Sequence, residues 1–283
     1  METVTASPTF PDLIRHQRAN GSAELRFERQ GAGTVLRHLY QSAPLRVLFP
    51  RPEAEEPPLA ALVNTAGGLA GGDRLRVAMV AAPGSIATLC TPAAEKLYRS
   101  LGPETQVETT LQVEAGATLE WLPQETILFS EARLRRRLEI DLAPDARLLA
   151  AEMLVFGRSA RGESFARGSL HDSWRLRVSG KLRWADTLRL DEPGAALADR
   201  FGFGGAGAFA TLLYAGPDAA AQLAPMREAA GPLGAATTPR EGVALIRWLG
   251  PSAAVRAALV AAIPALRPVL LGLPPFLPRL WTT

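Results

Sequence analysis

Two acids stand where strand patterning calls for apolar side chains. Glu152 lies in Leu148-Leu149-Ala150-Ala151-Glu152-Met153-Leu154-Val155-Phe156, a run with the composition of a strand buried on both faces. Asp186 takes an even position in residues 174–190, where Trp174, Leu176, Val178, Leu182, Trp184, Leu188 and Leu190 are even and Arg175, Arg177, Lys181, Arg183 and Arg189 are odd. An ionised carboxylate on the apolar side of a strand is costly unless it is paired, hydrogen-bonded or bound to a cation. One reading is a buried ion pair with one of the many arginines. The other joins Glu152 and Asp186 with Asp73 along an internal polar passage that a divalent cation can visit.

Asp73 closes the glycine-rich stretch Asn64-Thr65-Ala66-Gly67-Gly68-Leu69-Ala70-Gly71-Gly72-Asp73-Arg74. Gly67, Gly68, Gly71 and Gly72 fall within six residues, which permits positive φ and close backbone approach. The spacing of Gly67 and Gly72 fits a P-loop, yet Asp73 and Arg74 stand where Lys and Ser/Thr are required, and an aspartate there repels phosphate. Leu75, Val77 and Met79 follow at period two, so the loop opens a strand and lacks the helix N-terminus that would hold an anion.

Other chemistries find little support. His16, His38 and His171 are isolated from one another and from Cys90, with no zinc or calcium spacing. Gly157-Arg158-Ser159-Ala160-Arg161 lacks the last glycine of a nucleophile elbow. Residues 202–207 satisfy Gly-x-Gly-x-x-Gly, but Asp199-Arg200 precede them and the eight residues before Gly216-Pro217 are too few for a crossover helix. The arginines of 133–137 raise an alternative, a basic nucleic-acid-binding β module. Parity puts Arg133, Arg135 and Arg137 on one strand face with Glu139 and Asp141, leaves Arg136 off pattern, and supplies no aromatic residues for base stacking.

The elements that must position these residues are mainly strands. Residues 23–40 read as a hairpin around Gly31-Ala32-Gly33, and 174–190 as a strand pair around Ser179-Gly180. Strands are also expected at 45–49, 86–90, 107–113 and 243–249, with residues 1–20 loosely packed and 51–58 a surface loop. Turn signals every ten to fifteen residues argue for a β-rich architecture without regular βαβ alternation. Helices are expected at 218–230 and at 252–263, the latter with Ser252 as N-cap. No long linker divides the chain, and residues 1–283 are read as a single domain.

The glycine stretch resembles the signature loop of the urease accessory protein UreD (UreH) family. Residues 93–100 (Ala-Ala-Glu-Lys-Leu-Tyr-Arg-Ser), 119–129 (Leu-Glu-Trp-Leu-Pro-Gln-Glu-Thr-Ile-Leu-Phe), 157–163 and 278–282 follow in the family's order. The resemblance implies a fold that is mainly β, a layered or helical stack of antiparallel-rich strands with a few helices toward the C-terminal part. It implies a non-enzymatic factor for nickel insertion that binds apo-urease and UreF, through which the GTPase UreG is recruited. No cofactor is held tightly, and nickel is in transit. Carboxylates without histidine or thiolate suit transit, because they hold nickel weakly. Asp73, Glu152 and Asp186 are the candidate passage residues. Gly67, Gly68, Gly71, Gly72, Trp121 and Glu125 shape the structural centre, and the apolar stretch 270–281 is either a docking surface or a strap over the core.

Composition agrees with a globular protein: 283 residues, 47% hydrophobic, 21% charged, formal net charge +3 from 31 basic and 28 acidic side chains. A pI near 9.5 keeps nucleic acid in view. A single cysteine allows no intrachain disulfide, no secretion signal is visible, and the apolar run at 257–266 is broken by Pro264, so a cytoplasmic protein is expected.

Overall fold

The computed structural model describes residues 18–53 and 55–281, so the expected looseness of the N-terminal segment lies outside the described residues up to position 17. The strands in chain order begin β1 (Asn20–Gln30), β2 (Gly33–Gln41), β3 (Leu45–Leu48), β4 (Leu59–Asn64), β5 (Arg74–Ala81) and β6 (Ile86–Cys90). They continue with β7 (Glu95–Leu97), β8 (Thr105–Val113), β9 (Thr118–Leu122), β10 (Thr126–Leu128), β11 (Arg133–Leu142) and β12 (Arg147–Phe156). The last are β13 (Ser169–Val178), β14 (Lys181–Asp191), β15 (Ala208–Ala215), β16 (Gly234–Arg240) and β17 (Val243–Gly250). Among the described residues three α-helices, α1 (Gly194–Ala198), α2 (Leu223–Ala230) and α3 (Ser252–Leu271), all fall in the C-terminal third.

The chain alternates between two sheets. The first has the order β14-β13-β11-β8-β5-β1-β2, the second β16-β17-β15-β12-β9-β6-β4-β3. After β5 the chain turns a corner into β6 of the second sheet and returns as β8 one layer on; β9, β11 and β12 repeat the move. Successive corners stack through backbone hydrogen bonds, Gly84 N–H donating to Ala115 O at 2.9 Å and Ala143 N–H to Val113 O at 2.8 Å. The result is a solenoid-like stack.

Such winding makes neighbours parallel. All pairings in the series β1-β5-β8-β11-β13 and β4-β6-β9-β12 are parallel. Antiparallel pairs lie at the margins, including the two hairpins expected from sequence. The sheets are therefore mixed, where an antiparallel-rich stack was expected. Period-two patterning and turn spacing are the same for a hairpin and for a corner between sheets, so they leave strand direction open.

Three layers follow: first sheet, second sheet, helices. Leu25, Leu75, Leu111, Leu134, Leu148 and Leu170 belong to the core between the sheets, whereas Leu149, Met153, Leu212, Ile246, Leu259 and Ile263 belong to the core between the second sheet and the helices. Strand β12 is covered on both faces, its even residues Leu148, Ala150, Leu154 and Phe156 turned to the first core and Leu149, Ala151, Met153 and Val155 to the second. Its continuous apolar run has this cause.

Helix α3 runs past Pro264 and Pro268 to Leu271, longer than expected, and its N-cap is Pro251 with no side-chain cap bond, so Ser252 is already helical. Its twenty residues are long and apolar enough to span a membrane, but Val255, Leu259, Ile263, Leu266 and Leu270 are buried in the second core.

The segment after α3 is a strap. Arg267, fully buried, donates from Nε to Glu120 Oε1 at 2.8 Å and from Nη2 to Glu56 Oε2 at 2.7 Å, while its Nη1 holds the carbonyls of Pro274 and Phe276. Trp281 closes the strap by donating to Leu122 O at 2.9 Å. Arg267→Met strands Glu120 in an apolar layer and is expected to cost about 3–5 kcal/mol. Urea unfolding followed by circular dichroism measures this, and a loss below about 1 kcal/mol would assign the strap to apolar packing alone.

Candidate functional site

Parity carries Glu152 to the inner face of β12, opposite the first sheet. Arg136 meets it there. This arginine, out of step with its outward neighbours, shares the inner face of β11 with Leu134, Leu138 and Ile140. Its direct register partner on β13 is Asp172, which accepts a fork from Arg136 Nε at 2.9 Å and Nη2 at 2.7 Å. Arg136 Nη1 also donates to Thr126 Oγ1 at 3.3 Å.

Glu152 is held differently. Its Oε1 accepts from Trp121 Nε1 at 3.2 Å. Its Oε2 lies 2.9 Å from Arg136 Nη2, the same nitrogen that donates to Asp172 Oδ2, and forms an ion pair with it. One arginine thus serves two buried carboxylates and is hydrogen-bonded to one of them.

Burial and the neighbouring charges move the ionisations of this cluster. Loss of water pushes the Glu152 carboxyl up to about 7, with Asp172 adding to the rise and Arg136 and the hydrogen bonds of Trp121 and Trp174 opposing it. For Arg136 burial acts downward, but Asp172 and Glu152 outweigh it and the net displacement is upward, so the guanidinium stays charged.

Two cavities meet at this pair. The larger, about 210 Å³, lies between the sheets and is lined by Leu75 and Val77 of β5, Val107 and Thr109 of β8, and Trp121, Arg136 and Glu152 at its inner end. It reaches the surface past Gly67, Ala93 and Lys96, all exposed. The smaller, about 10 Å³ and scarcely room for one water, is lined by Asp172, Trp174, Asp186 and Thr211. Arg136 and Glu152 line both.

Asp186 is therefore brought to Glu152's neighbourhood. Its side chain is 35% exposed and ion-paired with Arg247. Asp73 is not brought there. Its Oδ1 accepts from Ala19 N–H at 2.8 Å and its Oδ2 from Ala70 N–H at 2.7 Å, so the carboxylate clasps the glycine turn and lines neither cavity. The amides of Gly67, Leu69 and Gly72 are also spent on protein carbonyls.

The glycines serve packing. A Cβ on Gly71 would fall on Ser100 Oγ and within 2.6 Å of Pro103 O, and Gly68, at φ +149°, lies against the Tyr98 ring. Leu69 bridges to Leu97 of β7, β7 pairs with β10, and β10 pairs with β12. Loop, 93–100 segment and 119–129 segment are thereby joined into one wall of the cavity. Gly67 is exposed at the rim, and Gly72 lies against the Arg18 side chain. Glu125 faces the helices instead, accepting from Arg256 Nε at 3.4 Å.

Four residues escaped the sequence reading. Arg136 carried a signal, its broken parity; Asp172 carried the same signal two residues before the segment in which Asp186 stood out. Glu95 lines the larger cavity, its carboxyl raised by burial and held by Asn64 Nδ2 at 3.1 Å. Its signal was weak, because β7 is only three residues long. Arg267 lay beyond the expected end of α3.

Among the described residues no group of three His, Cys, Asp or Glu side chains is disposed to hold a metal ion. The thiol of Cys90, buried beneath the helices, is pushed up to about 12 by burial and by Glu120, which keeps it from acting as a thiolate ligand. On the outer face of the first sheet Arg135 pairs with Glu104 at 2.8 Å, while Arg175 and Arg177 pair with Glu139 at 3.3 and 2.6 Å. That face carries mixed charge, with the positive residues interrupted by acids.

The sequence model of the UreD urease accessory protein family matches residues 19–282. The chain belongs to that family. It is 50% identical over 240 residues to a urease accessory protein UreD of Granulibacter bethesdensis, covering 83% of this chain and 99% of the relative. A UreD of a Methylobacterium species is 44% identical over 290 aligned positions, 99% of this chain and 100% of the relative, and one from Magnetococcus marinus is 42% identical over 94% of each. Family membership thus extends over both sheets, the helices and the strap.

The raised Glu152 carboxyl has a signed consequence. Between about pH 4.5 and 7 the unfolded chain loses this proton while the native state keeps it, so Glu152 contributes a loss of stability as pH rises through that window. The unfolding free energy of wild type minus that of Glu152→Gln should fall from pH 4.5 to pH 7.5. Denaturant melts at four or five pH values measure the difference, and a difference that rises with pH would contradict the assignment.

Proposed function

We propose that this chain serves urease maturation as a non-enzymatic scaffold, binding apo-urease and UreF and reaching the GTPase UreG through UreF. Nickel is its cargo, passing by way of the cavity between the sheets. The observation that carries this reading is the junction at Glu152, a buried carboxylate that lines both cavities. Oxygen ligands bind divalent nickel less firmly than imidazole or thiolate, which suits a carrier that must release the ion.

The residues have distinct parts. Glu152 takes the ion within the molecule, and Asp186, 35% exposed beside Arg247, meets it on the far side of the smaller cavity. Glu95 and Asn64 line the mouth. Asp73 holds the rim in shape through its two amide bonds. The larger cavity is mostly apolar, so an ion within it interacts chiefly with the few polar groups, and strong traps are avoided.

Deleting this chain from cells that express urease and its other accessory proteins should leave urease synthesised but nickel-poor. Metal analysis and specific activity of the purified urease should both fall at least tenfold. Restoring the chain as Glu152→Gln, which keeps the volume and the Trp121 contact, should recover less than a third of the nickel. Full loading by that variant at equal protein level would overturn the passage and leave the scaffold role standing.

A further inference from the structure

Beside the mouth of the larger cavity the surface carries a concentration of positive charge that the passage does not use. Tyr98 donates from its hydroxyl to Gly67 O at 3.0 Å, the Tyr98 and Phe129 rings pack edge to face with centroids 5.2 Å apart, and the Arg158 guanidinium lies over Phe129 at 4.1 Å. Main-chain bonds fasten the same segments, Ser100 N–H donating to Glu131 O at 3.0 Å and Glu131 N–H to Arg167 O at 2.9 Å. The glycine loop and residues 96–101, 129–131 and 157–167 therefore form one face.

Its charge is one-sided. Residues 96–101, 129–131 and 157–167 contain Lys96, Arg99, Arg158, Arg161 and Arg167 against two acids, Glu131 and Glu163. That surplus of three equals the formal net charge of the whole chain, so the remainder is formally neutral. Arg99 and Arg167, each 68% exposed, share Glu131, one on each carboxylate oxygen, and Arg158 is paired with Glu163. Lys96 and Arg161 are exposed and make no ion pair among the described residues. Tyr98 and Leu101 add exposed apolar surface, the latter at 71%.

We propose that this face is the docking surface for an acidic segment of a partner protein. Its carboxylates meet Lys96, Arg161 and the remaining nitrogens of Arg99 and Arg167, and an apolar side chain of the same segment settles against Tyr98 and Leu101. Guanidinium groups suit carboxylates because they offer paired, charge-assisted hydrogen bonds. Nucleic acid fits less well, since base stacking needs an open ring face, whereas Arg158 covers Phe129 and the Tyr98 ring lies against Gly68. The stack of Tyr98, Phe129 and Arg158 holds the face in shape before the partner arrives, so less side-chain order is lost on binding. This deepens the scaffold reading above, and it does not depend on nickel passing through the cavity.

The decisive variant is Lys96→Glu with Arg161→Glu, which reverses the two cations that no acid of the described chain holds and so spares the internal ion pairs. Lys181→Glu with Arg183→Glu makes the same change in net charge at another exposed place, the start of β14. Binding of purified apo-urease and of purified UreF from the same system to the full-length wild type and both variants is measured separately by biolayer interferometry. The Lys96/Arg161 variant is expected to bind one of the two proteins about tenfold more weakly, with the control variant within about twofold of wild type. Wild-type affinity for both proteins, or an equal loss in both variants, overturns the docking face and leaves the scaffold reading standing.

If that variant does not accumulate as folded protein, Lys96→Gln with Arg161→Gln takes its place, and a loss of about threefold is expected; unchanged affinity for both proteins again overturns the proposal. Absence of binding by the wild type to either protein removes the scaffold reading and the docking face together. Poly(dT) run alongside tests the other polyanion. Wild-type binding to poly(dT) that the Lys96/Arg161 variant loses, with both proteins still bound normally, assigns the face to nucleic acid and overturns the proposal.

Discussion

Strand β12 is sandwiched between two apolar layers, so every side chain on it must enter one core or the other. A carboxylate in that strand cannot reach water, and its charge must be met from across the gap between the sheets. Arg136 on β11 does this, but Asp172, its direct neighbour on β13, claims the same guanidinium. Burial of three charges in one layer is tolerable only when hydrogen bonds and Coulombic contacts offset most of the lost hydration. The arrangement leaves Glu152 sharing a nitrogen with Asp172, at the point where two cavities meet.

The solenoid-like winding makes this possible. Because the chain passes from sheet to sheet at each corner, β11 and β12 are consecutive strands in opposite sheets. An arginine and a glutamate sixteen positions apart in sequence can then point at one another through the core. A hairpin would have put them side by side. The short β7 and β10 extend the second sheet toward the glycine loop and hold the wall of the larger cavity open beside the cluster.

A second buried arginine is held in a different way. Arg267 spends its donors on Glu120, Glu56 and two strap carbonyls, and Glu120 Oε2 is further satisfied by Thr88 Oγ1 at 2.6 Å. Every oxygen of Glu120 has a hydrogen bond, and the cluster fixes α3 and the C-terminal strap to the second sheet. At Glu152 one oxygen meets Arg136 Nη2, already shared with Asp172, at 2.9 Å. The same residue types tie the strap to the second sheet in one core and line two cavities in the other.

Much of this was legible from residue order. Alternation alone located the β1–β2 and β13–β14 hairpins, put Asp186 on an inward face and set Arg133, Arg135 and Arg137 outward, since side-chain direction in a strand is a local property of the pleat; the unbroken apolar run around Glu152 marked that acid as buried. The out-of-step Arg136 was visible in the same way. Tertiary structure alone decided which inward residues meet. Parallel winding, the pairing of Arg136 with both Glu152 and Asp172, the withdrawal of Asp73 into its own turn and the use of residues 270–281 as a strap all depend on contacts between segments far apart in the chain. Local periodicity carries the face on which a residue lies; it carries nothing about the strand that will lie opposite, because that is settled by how the whole chain closes its two cores.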